Sequence, residues 1–162
     1  MPETLLVQEA ITGSEQIPDS RDPLQALAEF YRALNSRDLA LMEQNWNNGD
    51  DVAMDNPLGG IKRGWPEIRA IYEKLFRTDG EFHFEFYNYT LHRFQEIFYV
   101  VGRERGYLRN GGNNLEMRIR TTRVFRFDGR RWRQVHHHGS VDDPQLLNAY
   151  QAAVLSGVSP SS

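Results

Sequence analysis

One charged residue interrupts an otherwise apolar row. Leu115, Met117, Ile119, Thr121, Phe125 and Phe127 are spaced by twos and share one face of an expected strand, and Arg123 stands among them. A guanidinium in such a row is costly unless it is paired or binds something. Asp128-Gly129 follows as a hairpin turn signal. For a hairpin loop of two or four residues, Trp132, Gln134, His136 and His138 fall on the face of Arg123. An arginine, a glutamine and two histidines on one wall point to a small-molecule pocket rather than a plain core.

Each residue type carries its own chemistry. Guanidinium binds carboxylates bidentately, so Arg123, with Arg103 on the preceding strand, suits a clamp for a small anion. The competing reading is a structural pair with Asp55, Glu104 or Glu116. His136 and His138, two apart on a strand, present both imidazoles to one side, as an acid/base pair requires. A metal would need a third ligand, with only Asp55 or His83 at hand, and none is expected. His137 is expected to face outward. Asp55, ahead of Asn56-Pro57, could act as a general base at the cavity mouth or neutralise an arginine. Tyr31 and Tyr99 are candidates for pocket hydroxyls, with core packing the competing reading.

These side chains need elements to hold them. Residues 1–20 are mixed and polar and read as a flexible arm. Asp22-Pro23 opens a helix with the apolar stripe Leu24, Leu27, Phe30, Tyr31 and Leu34. Asp38 caps a second, short helix. Residues 52–55 read as a short strand, and Gly64-Trp65-Pro66-Glu67 begins a third helix. The period then changes from 3.6 to 2. Residues 81–94 alternate through Phe82, Phe84 and Phe86. Residues 96–108 form the next strand, read with Ile97, Tyr99, Val101, Arg103, Arg105 and Tyr107 on one face. The hairpin follows a glycine-rich loop, and Asp142-Asp143-Pro144 caps a last helix. Residues 157–162 look frayed, leaving 21–156 as one domain. Helices collected on one side of a curved antiparallel sheet make an α+β fold with a concave, ligand-accepting face.

Composition narrows the function classes. The chain has 162 residues, 40% hydrophobic and 25% charged, which is ordinary for a globular domain. Its net charge of −3 gives no global footprint for nucleic acid. Arg118, Arg120, Arg126, Arg130, Arg131 and Arg133 form a local basic cluster, read as a solvated or interfacial sheet face. Cysteine is absent, which removes disulfides and thiolate chemistry and suits a cytoplasmic location. No basic start with an apolar run suggests a signal peptide, and no stretch is long and apolar enough to span a membrane.

Three stretches carry a resemblance: FYRALNSRDLALM, MDNPLGG…RGWPEIRAIYEKLF and RVFRFDGRRWRQVHHHGS. Over roughly residues 22–150 the chain resembles the nuclear transport factor 2-like superfamily, also called SnoaL-like or ketosteroid-isomerase-like. Its end is most similar to the association (hub) domain of calcium/calmodulin-dependent protein kinase II and bacterial relatives, through Thr122-Arg123-Val124-Phe125, Asp128-Gly129, Trp132, Val135-His136, His138 and Ser140. The resemblance implies a cone-shaped, cystatin-like α+β fold and a homodimer through the outer sheet face. It places Arg103 at a pocket-arginine position, and a further pocket arginine of the hub family falls on Gly139. The steroid-isomerase base falls on Asn56 and its oxyanion partners near Phe30 and Arg123, so that mechanism is not expected.

The sequence therefore implies a cavity that binds a small, anionic, carboxylate-type molecule through Tyr31, Tyr99, Arg103, Arg123, Gln134 and His138. The alternatives are a cofactor-independent lyase, isomerase or hydrolase using Asp55 or His136, and an oligomeric assembly module. No cofactor, nucleic acid or membrane partner is expected.

Overall fold

A computed structural model describes residues 3–7 and 9–156, so the expected frayed end at 157–162 lies outside the described residues. In chain order the elements are β1 (Glu3–Val7), α1 (Pro23–Ser36), α2 (Leu39–Asn45), β2 (Ala53–Asp55), β3 (Lys62–Arg63), α3 (Trp65–Phe76), β4 (Glu81–Phe94), β5 (Ile97–Asn110), β6 (Asn113–Phe127), β7 (Trp132–Ser140) and α4 (Pro144–Gln151). A π-helical turn, Ala152–Ser156, continues α4.

Capping sets the helix starts. The Asp22 carboxylate accepts from the Leu24 amide at 3.0 Å, with Pro23 at the first helical position. Asp38 accepts from Leu41 at 3.0 Å, and Asp143 from Gln145 at 2.9 Å. α1 is buried over most of its circumference, through Ala26, Leu27, Ala28, Glu29, Phe30, Tyr31, Ala33 and Leu34. It is the central helix of the domain rather than a one-sided surface helix.

The sheet has seven strands in the order β1-β4-β5-β6-β7-β2-β3. The four long strands β4 to β7 pair antiparallel, as expected, while β2 joins β7 in parallel, with Asp55 opposite His138. The sheet is therefore mixed and the fold is α+β, the class that the resemblance implies.

The expected N-terminal arm is tied down instead. β1 extends the sheet beside β4. Ile11 is buried and exchanges backbone hydrogen bonds with Phe86 at 2.8 and 2.9 Å. Arg32 of α1 donates to the carbonyl oxygens of Gly13 and Glu15. A free edge on β4 is a template for pairing, and the N-terminal segment covers it.

Two bulges decide which side chains face in. In β4 the register shifts between Tyr87 and Thr90. Phe82, Phe84 and Phe86 face the core before it, and Tyr89 and Leu91 after it. Gly102 of β5 makes room for this: a Cβ there would lie 2.4 Å from that of Tyr89. In β7 the shift falls opposite the Val124–Phe125 step, leaving Val135 as the extra residue.

Candidate functional site

The inward row of β6 is as the alternation predicts: Met117, Ile119, Thr121, Arg123 and Phe125 are all buried. Arg123 is only 1% exposed. Its guanidinium carbon lies 3.6 Å from the centre of the Phe30 ring, a cation–π contact. Nη2 donates to Glu104 Oε2 at 2.7 Å, Nη1 to Gln134 Oε1 at 2.8 Å, and Nε to the Tyr31 hydroxyl at 3.4 Å. The Tyr31 hydroxyl donates to the same Glu104 oxygen at 2.5 Å. Burial opposes the charge on Arg123, but Tyr31 and Glu104 outweigh it and hold the pKa above its usual value. Burial pushes the Tyr31 phenol well up, so it stays protonated.

This cluster belongs to a longer chain of hydrogen bonds. Gln134 Nε2 donates to Asn45 Oδ1 at 3.1 Å, and Asn45 Nδ2 donates to Glu29 Oε1 at 3.0 Å. Arg131 pairs with that Glu29 oxygen at 2.5 Å near the surface. Two buried carboxylates, Glu29 and Glu104, are thereby matched by two arginines. Buried ions persist when they are paired and hydrogen-bonded, as here.

A cavity of about 40 Å³ lies beside Arg123 and Glu104. Asn56, Tyr72, His137 and Tyr150 complete its polar lining, with Phe30, Leu34 and Ile119 among its apolar walls. On that measure a water needs about 10–15 Å³, so roughly three would fit. α4 covers it through the buried Tyr150.

His137 is the unusual group. It is 5% exposed, and neither ring nitrogen has a hydrogen-bond partner. Burial holds its pKa well below the ordinary value, with the Arg123 charge adding to the effect. It is a neutral imidazole with one donor and one acceptor unmet. Burial likewise pushes Tyr72 up to about 12 and raises Tyr150, so both phenols remain protonated donors. Gly139 also faces inward. A Cβ there would meet His137 Nε2 and Pro57 Cδ, each at 3.1 Å, so the imidazole occupies the room a longer side chain at 139 would need.

The structure divides the residues singled out from sequence. Tyr31, Arg123 and Gln134 meet in the interior. Asp55, His136 and His138 gather on the opposite, outer face of the sheet. Asp55 Oδ2 is 2.6 Å from His138 Nδ1, and its Oδ1 is 3.8 Å from His136 Nε2. His136 Nδ1 is 2.9 Å from the Ala53 carbonyl oxygen. On β2 it is Met54, not Asp55, that is buried. The histidines are reversed by the Val135 bulge: Gln134 faces in, His136 and His138 face out, and His137 takes the interior place.

Arg103 and Tyr99 face outward, against expectation, for a different reason. The inward row of β5 is Phe98, Val100, Gly102, Glu104, Gly106 and Leu108, and Arg103 is exposed on the other side. Two glycines and a glutamate made that row look less apolar than the outer one. Tyr99 stacks on His92 on the outer face, with ring centres 4.5 Å apart. The two-arginine clamp is therefore not assembled, and Glu104 neutralises Arg123. Among the described residues no group of three or more acidic, histidine or cysteine side chains could hold a metal ion.

Residues 24–144 match the model of the SnoaL-like domain. The chain is 27% identical over 149 residues to F-box protein SKIP8 of Arabidopsis thaliana, covering 88% of this chain and 62% of that protein. It thus spans less than two thirds of that relative's length. Among solved structures it is similar to a Thiobacillus denitrificans protein assigned as a calcium/calmodulin-dependent protein kinase type II association domain. That likeness has 25% identity and a TM-score of 0.62, covering 78% of this chain and 100% of the other. A nuclear transport factor 2-like superfamily protein from Salmonella enterica shares the fold at 18% identity and a TM-score of 0.64, covering 72% of this chain and 85% of the other. With its fold, its interior cavity and a match over most of its length, the chain belongs to the SnoaL-like domain family.

Proposed function

We propose that the interior cavity binds a small, uncharged, polar molecule that satisfies His137. The carrying observation is the buried imidazole with both nitrogens unmet beside an open volume. Each unmet group costs about 1–3 kcal/mol, which a hydroxyl or carbonyl compound would relieve. Its hydroxyl would donate to the bare ring nitrogen, and its oxygen would accept from Tyr72 or Tyr150. An anionic ligand fits less well, because Glu104 already neutralises Arg123. Any acid/base chemistry in this cavity falls to His137, since Asp55 and His136 lie on the other face. The test is a titration followed by the His137 imidazole resonances, using isopropanol and acetone as probes. Saturable shifts at His137 that Tyr150→Phe and Tyr72→Phe together weaken support the reading. Shifts absent at His137, or unchanged by Tyr150→Phe and Tyr72→Phe together, overturn it.

A second reading, assembly, is supported by the outer face. Phe94 and Val101 are 44% exposed there, beside the half-buried Tyr99. The similar Thiobacillus protein is assigned as an association domain, and a homodimer through this patch is the simplest such assembly.

A further inference from the structure

A different feature stands on the outer face, away from the cavity. Arg103 of β5 is directly opposite Arg120 of β6 in the ladder. Like charges in that relation repel. Arg120 is held by Asp142 at 2.9 Å. The Arg103 side chain is exposed and has no hydrogen bond or ion pair with any described residue. The two arginines edge a groove of about 450 Å³, together with Val101, Thr122, His138 and Ser140. That volume lies in the range of small-ligand sites.

The chemistry of the groove is one-sided. Two guanidiniums and two hydroxyls can all donate, and guanidinium forks match tetrahedral oxyanions. The charged and titratable groups around the groove are Asp55, His136, His138, Arg103, Arg120 and Asp142. Asp55 Oδ2 is 2.6 Å from His138 Nδ1, and Asp142 is paired with Arg120 at 2.9 Å.

We propose that this groove binds the phosphate group of a small phosphate monoester. Arg103 and Arg120 hold the oxygens, and Thr122 and Ser140 complete the donor set. No covalent step is involved.

The test is a titration of the whole chain at constant ionic strength, with glycerol 3-phosphate as ligand. The Arg103 Nε and His138 ring resonances report binding. Saturable shifts at both are expected, and Arg103→Ala should weaken binding about tenfold or more, as loss of a bidentate charged contact does. His137→Phe should leave all of this unchanged. Shifts that sodium chloride reproduces, or binding indifferent to Arg103→Ala, would overturn the proposal.

Discussion

Gln134 and His137 are three residues apart on β7, yet both face the interior. In a regular strand an odd separation puts two side chains on opposite faces. Val135 is the extra residue opposite the Val124–Phe125 step, and skipping it restores the alternation: Gln134 in, His136 out, His137 in. One bulged valine thus separates a buried hydrogen-bonding glutamine from a buried, unsatisfied imidazole. It also sends two outward-facing histidines to Asp55.

Arg123→Leu should be strongly destabilising, because it strands Glu104 and takes a hydrogen bond from Gln134. Removing one partner of a buried pair costs about 3–5 kcal/mol. Urea denaturation should show that loss. The double variant Arg123→Leu with Glu104→Leu should recover part of it, since no charge is then left alone. Equal losses for the single and double variants would show that the pair is not coupled.

Gln134→Leu tests the link between the two buried carboxylates. It leaves Arg123 Nη1 and Asn45 Oδ1 without their partners. A loss of about 2 kcal/mol is expected from the unmet groups. Gln134→Glu should behave differently, since it places a third buried carboxylate between Arg123 and Asn45. A denaturation midpoint for Gln134→Leu equal to that of the native chain would contradict the network.

Much of this arrangement is legible in the sequence, and the failures have particular causes. Asp22, Asp38 and Asp143 announce three helix starts, and the Leu115-to-Phe127 alternation gives the inward face of β6 with Arg123 in it. Glu104 is among the partners that sequence offers for Arg123. What sequence hides is parity. Bulges at Val135 and in β4 leave no compositional mark, and each reverses every later side chain. β5 misleads because Gly102 and Gly106 sit in its buried row, where neighbouring backbone comes too close for a Cβ. His137, Tyr72 and Tyr150 converge from β7, α3 and α4, a juxtaposition that no local pattern carries.

His137 should make stability pH-dependent below neutrality. Its folded pKa is depressed by burial, while in the unfolded chain it titrates near about 6.5. Below that value the unfolded state binds the proton and the folded state does not. The contribution is thus fully present above about pH 6.5 and falls on acidification, by up to about 1.4 kcal/mol per pH unit, until the folded pKa is reached. Glu15 and Asp128, whose folded pKa values are lowered, lose their contributions only at lower pH. Denaturation midpoints from about pH 7 to about pH 5 should therefore slope in the native chain and flatten in His137→Phe. An unchanged slope in that variant would place the titrating group elsewhere.

Assembly can be checked at the exposed apolar corner of the sheet. Phe94 and Tyr99 stack with ring centres 6.2 Å apart, and Val101 continues the same face. A patch of this kind on an otherwise charged sheet suits contact with a second copy, in which each patch meets its own equivalent. Sedimentation at micromolar concentration should show a dimer. Val101→Lys should shift it to monomer, because it adds a cation beside Arg103 in a patch that meets its own equivalent in the second copy. The variant should keep its denaturation midpoint per folded subunit, since Val101 is 44% exposed and outside the core. A native chain that sediments as a monomer throughout, or a variant that stays dimeric, would show that this corner is not the contact.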